Sequence, residues 1–197
     1  MSGYDYPLAL AAEDFVPVAL TVTGVALLAA LPGVDPRRVR IAAGLLATGG
    51  FAKAGWKVVV ALDGPDLCFL YHALFPFLAA GFLLLAHELL RRPPLGVHAG
   101  LLAVAGAASL AVGDSWPVMI LAIAAVSVAA VALARRGQPL LFLLWLAGQY
   151  VLGPLAARPD QSVALQWVEQ GCNTLTQAVL VLAAWRLTGS ARQEVSA

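Results

Sequence analysis

Residues 117–136 read PVMILAIAAVSVAAVALARR and predict the class of protein to which the chain belongs. Residues 117–134 carry no charged side chain, and two arginines, Arg135 and Arg136, follow directly. An α-helix needs about 20 apolar residues to cross the hydrocarbon core of a membrane. The stretch therefore predicts a membrane-spanning helix that ends at an interface marked by arginines.

Similar apolar stretches cover nearly the whole chain. Of its residues, 61% are hydrophobic and 12% are charged, whereas a soluble domain carries about 25% charged residues. Short clusters separate the stretches, and they read LPGVDPRR, DGPD, RRPP, GDSWP, RRGQP and ARPDQ. We therefore predict an all-α polytopic membrane protein, a single integral membrane domain over 1–197 with seven transmembrane helices. The expected spans are 12–31, 39–62, 67–90, 95–112, 117–134, 139–157 and 162–187, of which the short fourth and fifth could instead be tilted or interfacial.

Arginines fall in alternate connections between these spans. The first, third and fifth connections and the C-terminal end contain Arg37, Arg38, Arg40, Arg91, Arg92, Arg135, Arg136, Arg186 and Arg192. The opposite side is acidic apart from Arg158, with Asp5, Glu13, Asp14, Asp63, Asp66, Asp114 and Asp160. Because arginine-rich loops stay in the cytoplasm, we expect the N-terminus outside and the C-terminus inside, in a bacterial cytoplasmic membrane.

Polar side chains inside apolar spans are costly and usually face the interior of a helix bundle. The densest cluster is QWVEQGCNTLTQ, residues 166–177, in the seventh span. Span direction places it at the same depth, in the outer half of the membrane, as polar and aromatic residues of the second, third and sixth spans. We therefore predict an outward-facing intramembrane pocket there. Its candidate catalytic residues are Glu169, His72, Lys53 and Lys57, and its candidate substrate-binding residues are Trp56, Tyr150, Gln149, Trp167, Gln170, Asn173 and Gln177.

Several of these side chains also have a structural interpretation. Lys57 can extend to the outer interface, and the amides of the seventh span can join helices to each other. Because an unpaired charge in a membrane is costly, we expect Glu169 to lie near Lys53 or Lys57. Nearer the cytoplasmic edge, His87 and Glu88 are expected as interfacial residues.

The predicted pocket combines a glutamate, a histidine and two lysines with aromatic walls. This combination suits acid–base chemistry on a lipid-soluble molecule, such as a lipid or an isoprenoid, and it also suits binding of such a molecule without a reaction. A membrane-embedded enzyme or binding protein is the first hypothesis. A small transporter or channel is the second, and a receptor-like or structural subunit is the third. A cavity open only to the outer side favours the first, a polar path to the cytoplasmic arginines the second, and a filled bundle the third.

No cofactor or metal is expected. His72, His87 and His98 fall on two sides of the membrane in this topology, and the seventh span has no lysine to hold retinal. No basic block indicates nucleic acid. The expected partners are membrane lipid, a small hydrophobic ligand and, through the small residues of spans four and five, a second copy of the chain.

Overall fold

The computed structural model describes residues 7–91, 94–156 and 162–196, and within these ranges the chain is all-helical. The helices are α1 (Leu8–Glu13), α2 (Phe15–Leu27), α3 (Pro36–Ala61), α4 (Cys68–His72), α5 (Leu74–Leu90), α6 (Leu95–Val112), α7 (Trp116–Arg136), α8 (Pro139–Ala156) and α9 (Val163–Ser196). A 3-10 turn, Leu28–Ala30, follows α2. Asp5, Arg92, Arg158 and Asp160 lie outside the described residues, as does the side chain of Arg192.

Four segments of the described chain are long and apolar enough to cross a membrane. They are Leu8–Ala30, Cys68–Leu90, Leu95–Val112 and Trp116–Arg136, and they match the first, third, fourth and fifth expected spans. The α8 helix is also apolar, over the 17 residues Pro139–Leu155, while α3 contains the lysines and α9 the polar cluster. The all-helical class and these four candidate spans are therefore confirmed.

Prolines account for the breaks inside two of these segments. A proline lacks an amide hydrogen, and its ring collides with the carbonyl group four residues earlier in a helix. For Pro17 that carbonyl belongs to Glu13, where α1 ends, and for Pro76 it belongs to His72, where α4 ends. Each break therefore has a local cause in the sequence, whereas Pro154 lies inside a continuous α8.

Glu88 anchors one end of the bundle. Its carboxylate lies 2.8 Å from the Arg38 guanidinium, and it also accepts the backbone N–H of Asp35 at 3.0 Å. We expected an interfacial Glu88, but only 2% of the residue is exposed. The burial is compatible with its charge because Arg38, at the start of α3, pairs with it.

Two more arginines join connections at the same end. Arg91 donates to the carbonyl oxygen of Gly33 at 2.7 Å, and Arg136 donates to the carbonyl oxygen of Leu89 at 2.7 Å. The connections that precede α3, follow α5 and follow α7 therefore meet. We call this the arginine end of the bundle.

Apolar side chains fill the half of the bundle next to the arginine end. The core there includes Leu28, Leu85, Leu133, Phe142 and Leu180, none more than 1% exposed. They come from the C-terminal parts of α5, α7 and α9, the N-terminal part of α8 and the turn after α2. This half of the bundle is therefore a closed apolar layer.

The α6 helix lies at the periphery. His98 is its one buried residue, whereas Val104 is 70% and Leu110 87% exposed. An apolar helix with such exposure is typical of a lipid-facing element. The expected contact of spans four and five with a second copy stays a prediction.

Candidate functional site

A cavity of about 460 Å³ lies in the half of the bundle away from the arginine end. Six helices line it, namely α2, α3, α5, α7, α8 and α9. The lining residues of each helix lie far from the arginine end. The α3 helix, for example, begins at the arginine end and contributes Lys53 and Lys57 from near its other end. The cavity and the apolar layer therefore divide the bundle between them.

Nearly all polar side chains of the cavity lining lie on one set of helices, among apolar residues, and the other two helices contribute a mainly apolar wall. The polar side chains come from the α1–α2 junction, α2, α3, α8 and α9, and they are Asp14, Thr21, Lys53, Lys57, Gln149, Tyr150, Glu169, Gln170, Asn173 and Gln177. The α5 and α7 helices contribute Leu74, Phe75, Leu78, Phe82, Met119, Ala122, Ile123 and Val126, with Ser127 as the one polar exception. Such a lining is complementary to a molecule with a polar head and an apolar body.

The two lysines have different surroundings. Lys57 Nζ lies 2.5 Å from Asp14 Oδ2, and the two side chains are only 12% and 10% exposed. Lys53 forms no ion pair within 4 Å in the described part of the chain, and its Nζ lies 5.6 Å from the centre of the Tyr71 ring, a cation–π distance. The lysines thus share a cavity with Glu169, but the ion pair of Lys57 runs to Asp14.

Asp14 takes this role because the first membrane segment begins earlier than expected. We placed the start of the first span at residue 12, with Asp14 at its entrance, whereas α1 begins at Leu8. Asp14 therefore lies within the segment Leu8–Ala30 and not at its start, and it pairs there with Lys57.

Glu169 and Gln170 line the cavity and carry acceptor oxygens without a hydrogen-bond donor among the described residues. The Glu169 side chain has no hydrogen bond or ion pair with any described residue. The adjacent Gln170 is 5% exposed, and its Oε1 atom is buried without a hydrogen-bond partner. An unsatisfied buried acceptor costs about 1–3 kcal/mol. Gln170 is such an acceptor, and the partly buried Glu169 carboxylate beside it accepts hydrogen bonds as well, so this part of the lining indicates a site for a group that donates them.

Two side chains of the polar cluster on α9, Gln177 and Thr174, bond to neighbouring helices, and Asn173 holds Gln177 in place. Gln177 Nε2 donates to Asn173 Oδ1 at 3.1 Å, and Trp145 Nε1 of α8 donates to Gln177 Oε1 at 3.2 Å. Thr174 donates to a carboxylate oxygen of Glu13 at 2.5 Å. The structural interpretation therefore applies to these residues, although Asn173 and Gln177 also line the cavity. Sequence reasoning missed Trp145, whose buried indole N–H required an acceptor.

Three candidate residues lie outside the cavity lining. His72 is exposed. Trp56 is buried, and its Nε1 donates to Asp66 Oδ1 at 2.8 Å, which ties the end of α3 to the following connection. Trp167 is 42% exposed, because a position two residues from Glu169 faces the opposite side of a helix.

The cavity opens between α7 and α8. Its lining residues Ile123 and Tyr150 are 41% and 55% exposed, and Gly153 is exposed beside them. The Oη atom of Tyr150 lies 3.0 Å from Oγ of Ser127, so one hydrogen bond crosses the gap between the two helices. We call this gap the α7–α8 opening.

Metal-ligating side chains do not cluster in the part of the chain that the structure describes, where no three His, Cys, Asp or Glu residues come together. His87 and His98 contact each other near the arginine end, with ring centres 5.4 Å apart, while His72 lies on α4. Cys68 and Cys172 are free thiols.

The candidate site thus combines one paired and one separate lysine, a carboxylate and an amide acceptor, and an apolar wall. Comparison with known proteins gives no match, because no protein-family profile, curated protein or solved structure is significantly similar to the chain.

Proposed function

We propose that the chain is an integral protein of a bacterial cytoplasmic membrane and that it binds a lipid-soluble amphiphile in this cavity. The observation that carries the proposal is the two-walled cavity itself. It offers charged and amide groups on one side and an apolar surface on the other, next to an opening between two apolar helices. An amphiphile is the class of molecule that satisfies both walls.

In the proposed topology seven segments cross the membrane: Leu8–Ala30, α3, Cys68–Leu90, α6, α7, α8 and α9. The meeting of three arginine-containing connections supports one cytoplasmic end, with the N-terminus outside. At 1.5 Å per residue α9 is about 51 Å long, so it exceeds the hydrocarbon core of about 30 Å. The cavity then lies in the outer half of the membrane.

The apolar layer favours binding over transport. A transporter or channel needs a polar path from the cavity to the arginine end, and that path would cross Leu28, Leu85, Leu133 and Leu180, all at most 1% exposed. A purely structural subunit would need no cavity of this size.

Acid–base catalysis on the bound molecule is a second candidate function, and Glu169 favours it. A general acid or base must reach the ligand directly. Glu169 lines the cavity and has no partner among the described residues, whereas His72 lies outside the lining. In this alternative Glu169 exchanges the proton and Lys53 balances the charge.

A matched pair of substitutions tests whether the cavity holds lipid. Met119 lines the cavity and is partly buried, while the next residue, Ile120, is 53% exposed and lies outside the lining. We expect Met119→Trp to fill the cavity and to remove copurified amphiphile, measured by mass spectrometry of the purified protein. Ile120→Trp should keep it. Equal amphiphile content in the wild type and both variants, at equal thermal stability, would refute the proposal.

A further inference from the structure

Two charged side chains of the cavity lining, Lys53 and Glu169, do not form an ion pair with each other. Lys57 and Asp14 form an ion pair, so their charges cancel. Lys53 and Glu169 both line the cavity, and neither has an ion-pair partner within 4 Å among the described residues. Because a charge without a counter-ion is costly beside an apolar wall, a ligand that supplies both opposite charges would stabilise the site.

The anionic side of the site requires hydrogen-bond donors. Gln170 Oε1 is buried without a partner, and it lies on the residue next to Glu169. A carboxylate and an amide oxygen only accept hydrogen bonds, whereas a primary ammonium group has three N–H donors. One such group can therefore satisfy both residues.

A quaternary ammonium group fits this site poorly. It has no N–H to donate, and proteins bind it with cages of aromatic rings. The aromatic residues of the lining are Phe75, Phe82 and Tyr150, while the tryptophans nearest in sequence to Lys53 and Glu169, Trp56 and Trp167, lie outside it. The lining residue beside Glu169 carries a hydrogen-bond acceptor, Gln170 Oε1, and not an aromatic ring.

We infer that the ligand is a single-chain amphiphile with a zwitterionic head group, whose primary ammonium group binds Glu169 and Gln170 and whose anionic group binds Lys53. The inference rests on the proposed function and specifies the class of ligand. The four charged lining residues, Asp14, Lys53, Lys57 and Glu169, sum to zero, so a zwitterion leaves the filled cavity neutral. A volume of about 460 Å³ lies within the range of pockets for small ligands and suits one alkyl chain against α5 and α7.

A series of amphiphiles with one alkyl chain tests the head group. The probes are dodecylphosphoethanolamine, dodecylphosphocholine, dodecyl phosphate, dodecylamine and dodecanol, titrated by calorimetry into the full chain in lipid nanodiscs. We expect dodecylphosphoethanolamine to bind at least about tenfold more tightly than each of the others, because each lacks at least one charge-assisted contact and dodecanol lacks both. Water-soluble phosphoethanolamine should bind far more weakly than its dodecyl ester.

Two substitutions assign the charges to their partners. Glu169→Gln should remove the preference for dodecylphosphoethanolamine over dodecyl phosphate, and Lys53→Met should remove its preference over dodecylamine. Asp63→Asn is the matched control, since Asp63 is exposed outside the lining and has a left-handed backbone, φ 55°, that asparagine tolerates. It should change no affinity.

The outcomes separate the inference from the function on which it rests. If dodecylphosphocholine binds as tightly as dodecylphosphoethanolamine, the primary ammonium group is wrong. If dodecyl phosphate, dodecylamine or dodecanol binds as tightly, the zwitterion is wrong. In each case amphiphile binding stands. If Glu169→Gln and Lys53→Met behave like Asp63→Asn, the assigned contacts are wrong. If no probe binds saturably, or if phosphoethanolamine binds as well as its dodecyl ester, the proposed function itself fails.

Discussion

Removal of the Asp14 carboxylate should destabilise the whole bundle. Asp14 Oδ2 lies 2.5 Å from Lys57 Nζ, and the side chains are 10% and 12% exposed. At that distance and an effective dielectric constant of about 20, the attraction is about 7 kcal/mol before desolvation is subtracted. Breaking a buried pair by removing one partner costs about 3–5 kcal/mol, because the remaining charge stays buried. For a chain of this size we expect Asp14→Asn to lower the Tm by roughly 6–20 °C.

Thermal unfolding in detergent, followed by circular dichroism, measures the effect. Asp63→Asn removes an exposed carboxylate and should leave the Tm unchanged. The double variant Asp14→Asn/Lys57→Met removes both charges and should recover most of the loss, because no uncompensated charge remains. The reasoning is refuted if Asp14→Asn unfolds within about 2 °C of the wild type, or if the double variant is no more stable than Asp14→Asn alone.

Three further results are expected. Glu88→Gln should lower the free energy of unfolding by about 3 kcal/mol, because Arg38 loses its carboxylate partner. The measurement is the Tm, and the double variant Glu88→Gln/Arg38→Gln should have a Tm no lower than that of Glu88→Gln alone. Tyr150→Phe removes the hydrogen bond across the α7–α8 opening, so a bound fluorescent amphiphile should exchange faster at little change in stability; an unchanged rate would contradict the proposed entry route. An impermeant thiol reagent applied to intact cells should label Ser2→Cys but not Ser196→Cys in a cysteine-free background, and the reverse pattern would overturn the topology.

Positions along the helix axes were predictable from the sequence. Apolar length sets where a helix crosses, so the fourth span was expected at 95–112 and α6 is Leu95–Val112. The rise per residue then gives the level of each side chain along its helix, which is why Lys53, Tyr150 and Glu169, from three separate helices, line one cavity.

The rotation of each helix about its axis was not predictable in the same way. Tertiary packing sets that angle, and it decides that Glu169 faces the cavity while Trp167 faces outwards. The partner of Lys57 was missed because it depends on where the first helix begins. That boundary is Leu8, outside the expected span of 12–31, and the ends of helices are the least predictable feature of a sequence.

The arginine contacts have a mechanical consequence. Because Arg91 and Arg136 bind the carbonyl groups of Gly33 and Leu89, three connections are fastened at one end, and the cavity lies at the other. A helix that is fastened near one end tilts about that end, so its displacement grows with the distance from the fastened residues. Met119 lies about 26 Å along α7 from Arg136, so a tilt of about 5° displaces the rim of the α7–α8 opening by about 2 Å. The same tilt barely moves Leu133, so the cavity mouth can widen while the apolar layer keeps its packing.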